Sequence, residues 1–237
     1  MPSSFGWSRM MVSMTTRTED ASADVGGAAN SARSAATRDR ILAVAEQLFA
    51  EHGVFAVSNR QVSEAAGQGN NAAVGYHFGT KTDLVRAIVN KHSQQVEKKR
   101  GELLCEIEGS TNVRDWISCL VRASTDHYAE MGGPTWYARF SAQILTDPVL
   151  RKIVYDEVLA SPTLQETLRG LSDCLADMPM SVRRARADIG RNAIVHMFAE
   201  RERTLAEEGP EAVTSWEDFT TDLVDALVGL WTAPISR

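Results

Sequence analysis

No window of this 237-residue chain approaches the eighteen or so consecutive apolar residues that a membrane span needs, so a soluble, cytoplasmic protein is expected. Cysteine is scarce. Cys105, Cys119 and Cys174 are odd in number and scattered at non-motif spacing, which argues against a secreted disulfide scaffold and fits a reducing compartment. Each reads as a small buried apolar residue. Strand signals are nearly absent, which points to an all-α chain. Also missing are a Gly-x-Ser-x-Gly elbow, a phosphate-binding glycine loop, a His-Glu-x-x-His pair and Cys or His pairs at metal spacing. His52, His77, His92, His127 and His196 lie alone on different helices, each with a local role. The expectation is a protein that is not an enzyme and that needs no cofactor and no metal.

What the chain does have is concentrated between Ser58 and Lys81, SNRQVSEAAGQGNNAAVGYHFGTK. Ser58 followed by Gln61 is a capping box, in which each side chain satisfies a backbone donor at the helix start. Val62, Ala65 and Ala66 give that helix a buried face. Gly67 and Gly69 supply the backbone angles of a sharp turn, and Asn70 or Asn71 caps a second short helix through Ala72, Ala73, Val74 and Tyr76. Two short helices about a glycine turn make a helix-turn-helix, whose second helix enters the DNA major groove. Upstream, Thr37 to Gly53 forms an amphipathic helix with Ile41, Leu42, Ala45, Leu48 and Phe49 on one face.

The charge pattern agrees with a DNA-facing end. The whole chain is acidic, with a net charge of −6, yet residues 37–100 hold nine Arg or Lys against six Asp or Glu. Residues 101–237 hold thirteen against twenty-two. A basic end meets phosphates while the acidic remainder limits indiscriminate binding.

From Arg38 to Leu84 the chain resembles the TetR family of bacterial transcriptional regulators. The resemblance rests on the first helix, on Ala66 and Gly67 at the turn, and on Tyr76, His77, Phe78, Gly79, Lys81 and Leu84 after it. The turn is one residue longer than the family's commonest form. Gly75 stands where many members place a tyrosine on a phosphate, which leaves Tyr76 as the aromatic for that contact. The resemblance implies DNA contacts from Ser58, Arg60, Gln68, Asn70, Asn71, Ala72, Tyr76, His77 and Lys81, the last two near phosphates. Residues 1–35, rich in Ser, Ala, Gly and Arg and without periodicity, read as a disordered arm, and the resemblance implies a three-helix DNA-binding domain over 36–82 and a helical ligand-binding and dimerisation domain over 83–237.

Punctuation supports helices throughout the third part. Thr80 with Asp83 opens a long helix ending near Gly109, and Asn112 with Asp115 opens the next, which Gly132, Gly133 and Pro134 break. Others span 135–146, 149–159 and, from Ser161 and Pro162, about 162–176. The last two run over about 181–206 and 214–231. The final helix carries Phe219, Leu223, Leu227 and Trp231 on a broad apolar stripe. In the family the closing helices meet their copies in a four-helix bundle, which makes these residues the expected homodimer contacts.

The middle helices are expected to enclose a small-molecule effector, because aromatic side chains mixed with a few polar ones suit such a cavity. Trp116, Tyr128, Trp136, Tyr137, Arg139, Phe140, Gln143 and His196 provide that set. Arg139 either pairs an acidic ligand group or salt-bridges an acidic neighbour. The expected partners are therefore double-stranded operator DNA, an effector and a second copy of the chain. The expected function is a ligand-responsive repressor released from its operator by an inducer. An activator of the same fold, or a helical interaction module without DNA binding, are the alternatives.

Overall fold

The computed structural model describes residues 21–70 and 72–236. Ten α-helices form the described chain: α1 Ala21–His52, α2 Asn59–Ala65, α3 Ala73–Phe78, α4 Lys81–Glu106, α5 Val113–Met131, α6 Tyr137–Thr146, α7 Pro148–Val158, α8 Pro162–Cys174, α9 Met180–Glu207 and α10 Trp216–Thr232. A short 3₁₀ turn at Pro210–Ala212 precedes α10. No described residue lies in a strand. Among the described residues no helix is long and apolar enough to cross a membrane.

The chain divides into two compact units, Met1–Asp39 and Arg40–Arg237. In the first unit, the arm expected over residues 1–35 is corrected from residue 21 onward, because Ala21 already begins a helix. Seven alanines between residues 21 and 36 favour helix where no apolar periodicity announces one. The expectation for residues 1–20 lies outside the described residues.

The second unit has two apolar cores. Ile41, Leu42, Ala45 and Phe49 of α1 pack with Val62 and Ala66 of the α2 segment, Val74 and Phe78 of α3, and Leu84, Val85, Ile88 and Val89 of α4. The same core takes in Phe140 and Ile144 from α6 and Leu150 and Ile153 from α7. A division at residue 82 therefore separates helices that share one interior. The other core joins Leu104 to Trp116, Ile117, Leu171, Phe198, Phe219, Leu223, Leu227 and Trp231.

The stripe on α10 accordingly turns inward. Phe219, Leu223, Leu227 and Trp231 are all at most 8% exposed within their own chain. Gly190 of α9 faces this stripe, where an added Cβ would sit in ordinary contact, 3.4 Å from Leu227 and 3.7 Å from Leu230. The expected dimer contacts are thus internal packing of α10. Of the cysteines only Cys119 is buried; Cys105 is exposed and Cys174 half-buried.

Candidate nucleic-acid interface

Local chemistry builds the helix-turn-helix as its sequence suggests. The Ser58 hydroxyl accepts from Gln61 N, and the Gln61 carboxamide oxygen accepts from Ser58 N at 2.8 Å, so both members of the capping box are formed. After Ala66 the chain turns at Gly67, whose φ of +69° is one that L side chains rarely adopt. Gly69 takes no such angle; one glycine suffices for the turn. Asn70 Oδ1 accepts from Ala72 N at 2.9 Å, an Asx-type turn that leads the chain into α3. Asn71 lies outside the described residues. Ser63, fully buried on α2, accepts from Val74 N through its hydroxyl and ties α2 to α3.

The outward face carries the rest of the expected DNA contacts. Tyr76 is 84% exposed and meets the His77 ring edge-on, with centroids 5.0 Å apart. Ala72 and Arg60 are exposed, and Arg60 Nε donates to Glu64 at 2.7 Å along α2. Gln68 Nε2 donates to Ala66 O within the turn. Lys81 behaves differently. Its ammonium donates to Val57 O at 2.5 Å and to Val54 O at 3.1 Å. It ties the start of α4 to the α1–α2 loop, which leaves one N–H for a phosphate.

The expected effector residues do not converge on one cavity. Trp116 is buried against Gly170 of α8, and its indole N–H donates to Ser110 O. Phe140 is fully buried and stacks on Phe49 of α1 at 6.2 Å, in the other core. Gln143 Nε2 donates to Ala50 O at 2.6 Å, and Trp136 packs against that core. Tyr128 stacks on Phe198 at 4.7 Å. Arg139 pairs with Glu202, a buried neighbour on α9, at 3.3 Å. Glu202 also accepts from Ala138 N and Arg139 N, and so caps α6 from a distant helix. His196 is exposed and lines a narrow hollow of about 180 Å³ with Arg151, Tyr155 and Arg191. That hollow adjoins an open cleft of about 630 Å³ between α7 and α9.

Two histidines expected to stand alone prove to be joined. Glu46 of α1, His92 of α4 and His127 of α5 are each at most 7% exposed. His92 Nε2 lies 2.7 Å from Glu46 Oε2, and His92 Nδ1 lies 2.8 Å from His127 Nε2. His92 thus bridges Glu46 through one ring nitrogen and His127 through the other, the donor in each bond following from the ring tautomers. Tyr137 stacks on the His92 ring with centroids 3.7 Å apart. Burial, with repulsion from His92 and Lys99, lowers the His127 pKa to about 4. This chain of buried polar groups crosses from the DNA-reading helices into the larger helical body. Its sequence signal is weak: one buried acid on the apolar face of α1 and two histidines 35 residues apart.

Among the described residues α2, the turn at Gly67 and α3 form a helix-turn-helix, the arrangement that reads DNA through its second helix. Residues 41–88 match the family described as bacterial regulatory proteins, tetR family. A candidate tetR family transcription regulator from Shewanella sp. PV-4 is similar in fold, at 16% identity and TM-score 0.52, over 82% of this chain and 95% of that one. Also similar is PfmR, a TetR family transcriptional regulator from Thermus thermophilus, at 18% identity and TM-score 0.45, over 79% of this chain and 96% of that one. No curated relative matches the chain in sequence.

Proposed function

We propose that the chain is a cytoplasmic homodimeric repressor that leaves its operator when a small molecule binds the helical body. The observation that carries this reading is the buried Glu46–His92–His127 chain, which couples α1, α4 and α5. Buried hydrogen bonds at both His92 nitrogens favour discrete arrangements of these helices over gradual sliding, because a half-broken network leaves costly unpaired groups. An effector that prefers the DNA-incompetent arrangement then shifts the population toward it.

Ser58, Arg60, Gln68, Asn70, Asn71, Ala72, Tyr76 and His77 form the proposed DNA-facing set, with Lys81 positioning α4 beneath it. For the dimer, Ile189 and Met197 are 54% and 46% exposed on α9, eight residues apart and so near one face. They are the apolar surface on which a second copy would settle.

The test is fluorescence anisotropy with labelled duplex from the region upstream of the protein's own gene, at several salt concentrations. Saturable, sequence-selective binding that weakens steeply with salt is expected, with lower reporter expression when the protein is present. Higher expression would instead make it an activator. Absence of selective DNA binding, with retained capture of a protein partner, would favour an interaction module.

A further inference from the structure

α6 packs against both α7 and α9, and the open cleft of about 630 Å³ lies where those two helices part. Helical spacing builds its walls. Arg151 and Tyr155 stand four apart on α7, and Asp188, Arg191 and Asn192 share a face of α9 at spacings of three and four. Asp147 accepts from Val149 N and Leu150 N, and Pro148 opens α7, so the turn that carries Arg151 is firmly capped.

The cleft is cationic in a part of the chain that is otherwise acidic. Residues 101–237 hold thirteen Arg or Lys against twenty-two Asp or Glu, yet here Arg151, Lys152 and Arg191 meet one carboxylate, Asp188. Lys152 pairs with Asp156 at 3.0 Å and Arg191 with Asp188 at 2.9 Å, both exposed pairs that yield readily to another anion. The Arg151 guanidinium forms no ion pair among the described residues. Arg191 also lies over the Tyr155 ring, 5.7 Å from its centroid. Arg151, Tyr155, Arg191 and Asn192 line both this cleft and the narrower hollow of about 180 Å³, so the two spaces share a neck with one guanidinium from each helix. Asn192 Nδ2 donates to Asp188 O at 2.7 Å, which orients the carboxamide and leaves its Oδ1 to accept.

We propose that this neck binds a small sugar phosphate, with the phosphate between Arg151 and Arg191 and the ring in the hollow beside Tyr155, Asn192 and His196. Three cations against one carboxylate favour a doubly charged group, and a phosphomonoester carries about −1.5 to −2 charges at neutral pH where a carboxylate carries one. Guanidinium forks match phosphate oxygens with parallel N–H···O bonds. A cavity of about 150 Å³ admits benzene, so a hollow of about 180 Å³ seats one six-membered ring. Amide, phenol and imidazole give donors and acceptors to the hydroxyls of that ring. The site lies outside both apolar cores, on exposed or half-buried side chains, and holds whether or not the chain is a repressor.

Isothermal titration of the full chain uses glucose 6-phosphate as probe, with glucose, inorganic phosphate and phenyl phosphate beside it. The salt is about 0.15 M, where the Debye length of about 8 Å screens loose attraction. One glucose 6-phosphate per chain is expected, at least roughly tenfold tighter than inorganic or phenyl phosphate, with no binding of glucose. Arg151→Gln with Arg191→Gln should abolish binding and leave Tm nearly unchanged, since both positions are exposed. Asn192→Ala should weaken glucose 6-phosphate by about tenfold and leave inorganic phosphate as it was. Equal affinity for glucose 6-phosphate and inorganic phosphate would reduce the cleft to a charged patch and overturn the proposal. Tighter binding of phenyl phosphate would overturn the sugar, and binding that survives in the double variant would place it elsewhere. Operator affinity should be the same in the double variant as in wild type. Its loss, with no sugar phosphate bound by wild type, would make the cleft a DNA-backbone contact and refute the site.

Discussion

The Lys81 ammonium lies 2.5 Å from the carbonyl oxygen of Val57, across the loop that joins α1 to α2. A residue that the sequence places on a phosphate is thereby also a strut within the protein. Lys81→Ala should weaken operator binding and lower Tm together, because two charge-assisted hydrogen bonds of about 2 kcal/mol each are lost. The salt slope of DNA binding should change little. Titrations at four salt concentrations check this, and a slope flattened by roughly one unit at constant Tm would identify a phosphate contact instead.

The inward stripe of α10 and the exposed face of α9 should answer differently to substitution. Leu227→Asp places a charge at a site 3% exposed and should unfold or aggregate the chain. Ile189→Glu with Met197→Glu alters only exposed positions. Sedimentation should find a folded monomer with DNA affinity sharply reduced. A folded dimer carrying both glutamates would move the interface off this face of α9.

Gly170 is the most crowded of the described glycines. A Cβ added there would lie 2.4 Å from the Trp116 ring. Gly170→Ala should therefore cost about 1–3 kcal/mol in urea unfolding and shift the emission of the displaced indole, since overpacking forces side chains off their rotamers. Stability within a few tenths of a kcal/mol of wild type would mean that α8 moves away freely.

Acid sensitivity should arise at His127. Its folded-state pKa is about 4, whereas an unfolded histidine titrates near 6.5. Between those values the unfolded chain takes up the proton and the folded chain does not, so stability falls as pH drops from about 6.5 toward 4. The loss should be about 2 kcal/mol after allowance for solvent screening. In His127→Gln the pH slope of unfolding free energy should flatten over that window. An unaltered slope would assign the acid sensitivity to other groups.

What the sequence made legible is what neighbours along the chain decide. Ser58 with Gln61 and Thr80 with Asp83 form capping boxes at three-residue spacing, and Pro162 begins α8 as its position implies. The start of α1 was hidden because propensity, not periodicity, extends that helix toward Ala21. The apolar stripe of α10 was visible, but not its direction, since periodicity says that a face is buried and not what buries it. Phe140 and Gln143 were legible as an aromatic-polar set and not as packing on α1. The contacts that define the interior, Glu46 with His92 and Arg139 with Glu202, span 46 and 63 residues. Nothing local marks such pairs.

The distant cap on α6 sets an order of events during synthesis. Ala138 and Arg139 leave the ribosome more than sixty residues ahead of Glu202, the carboxylate that satisfies their backbone N–H groups. At about 5–20 residues per second the nascent chain spends roughly 3–13 s with that helix start uncapped. Phe140 and Ile144 of the same helix complete the core beneath the DNA-reading unit. The start of α6 is thus capped only after α9 has emerged, although the same helix helps close the core beneath α2 and α3.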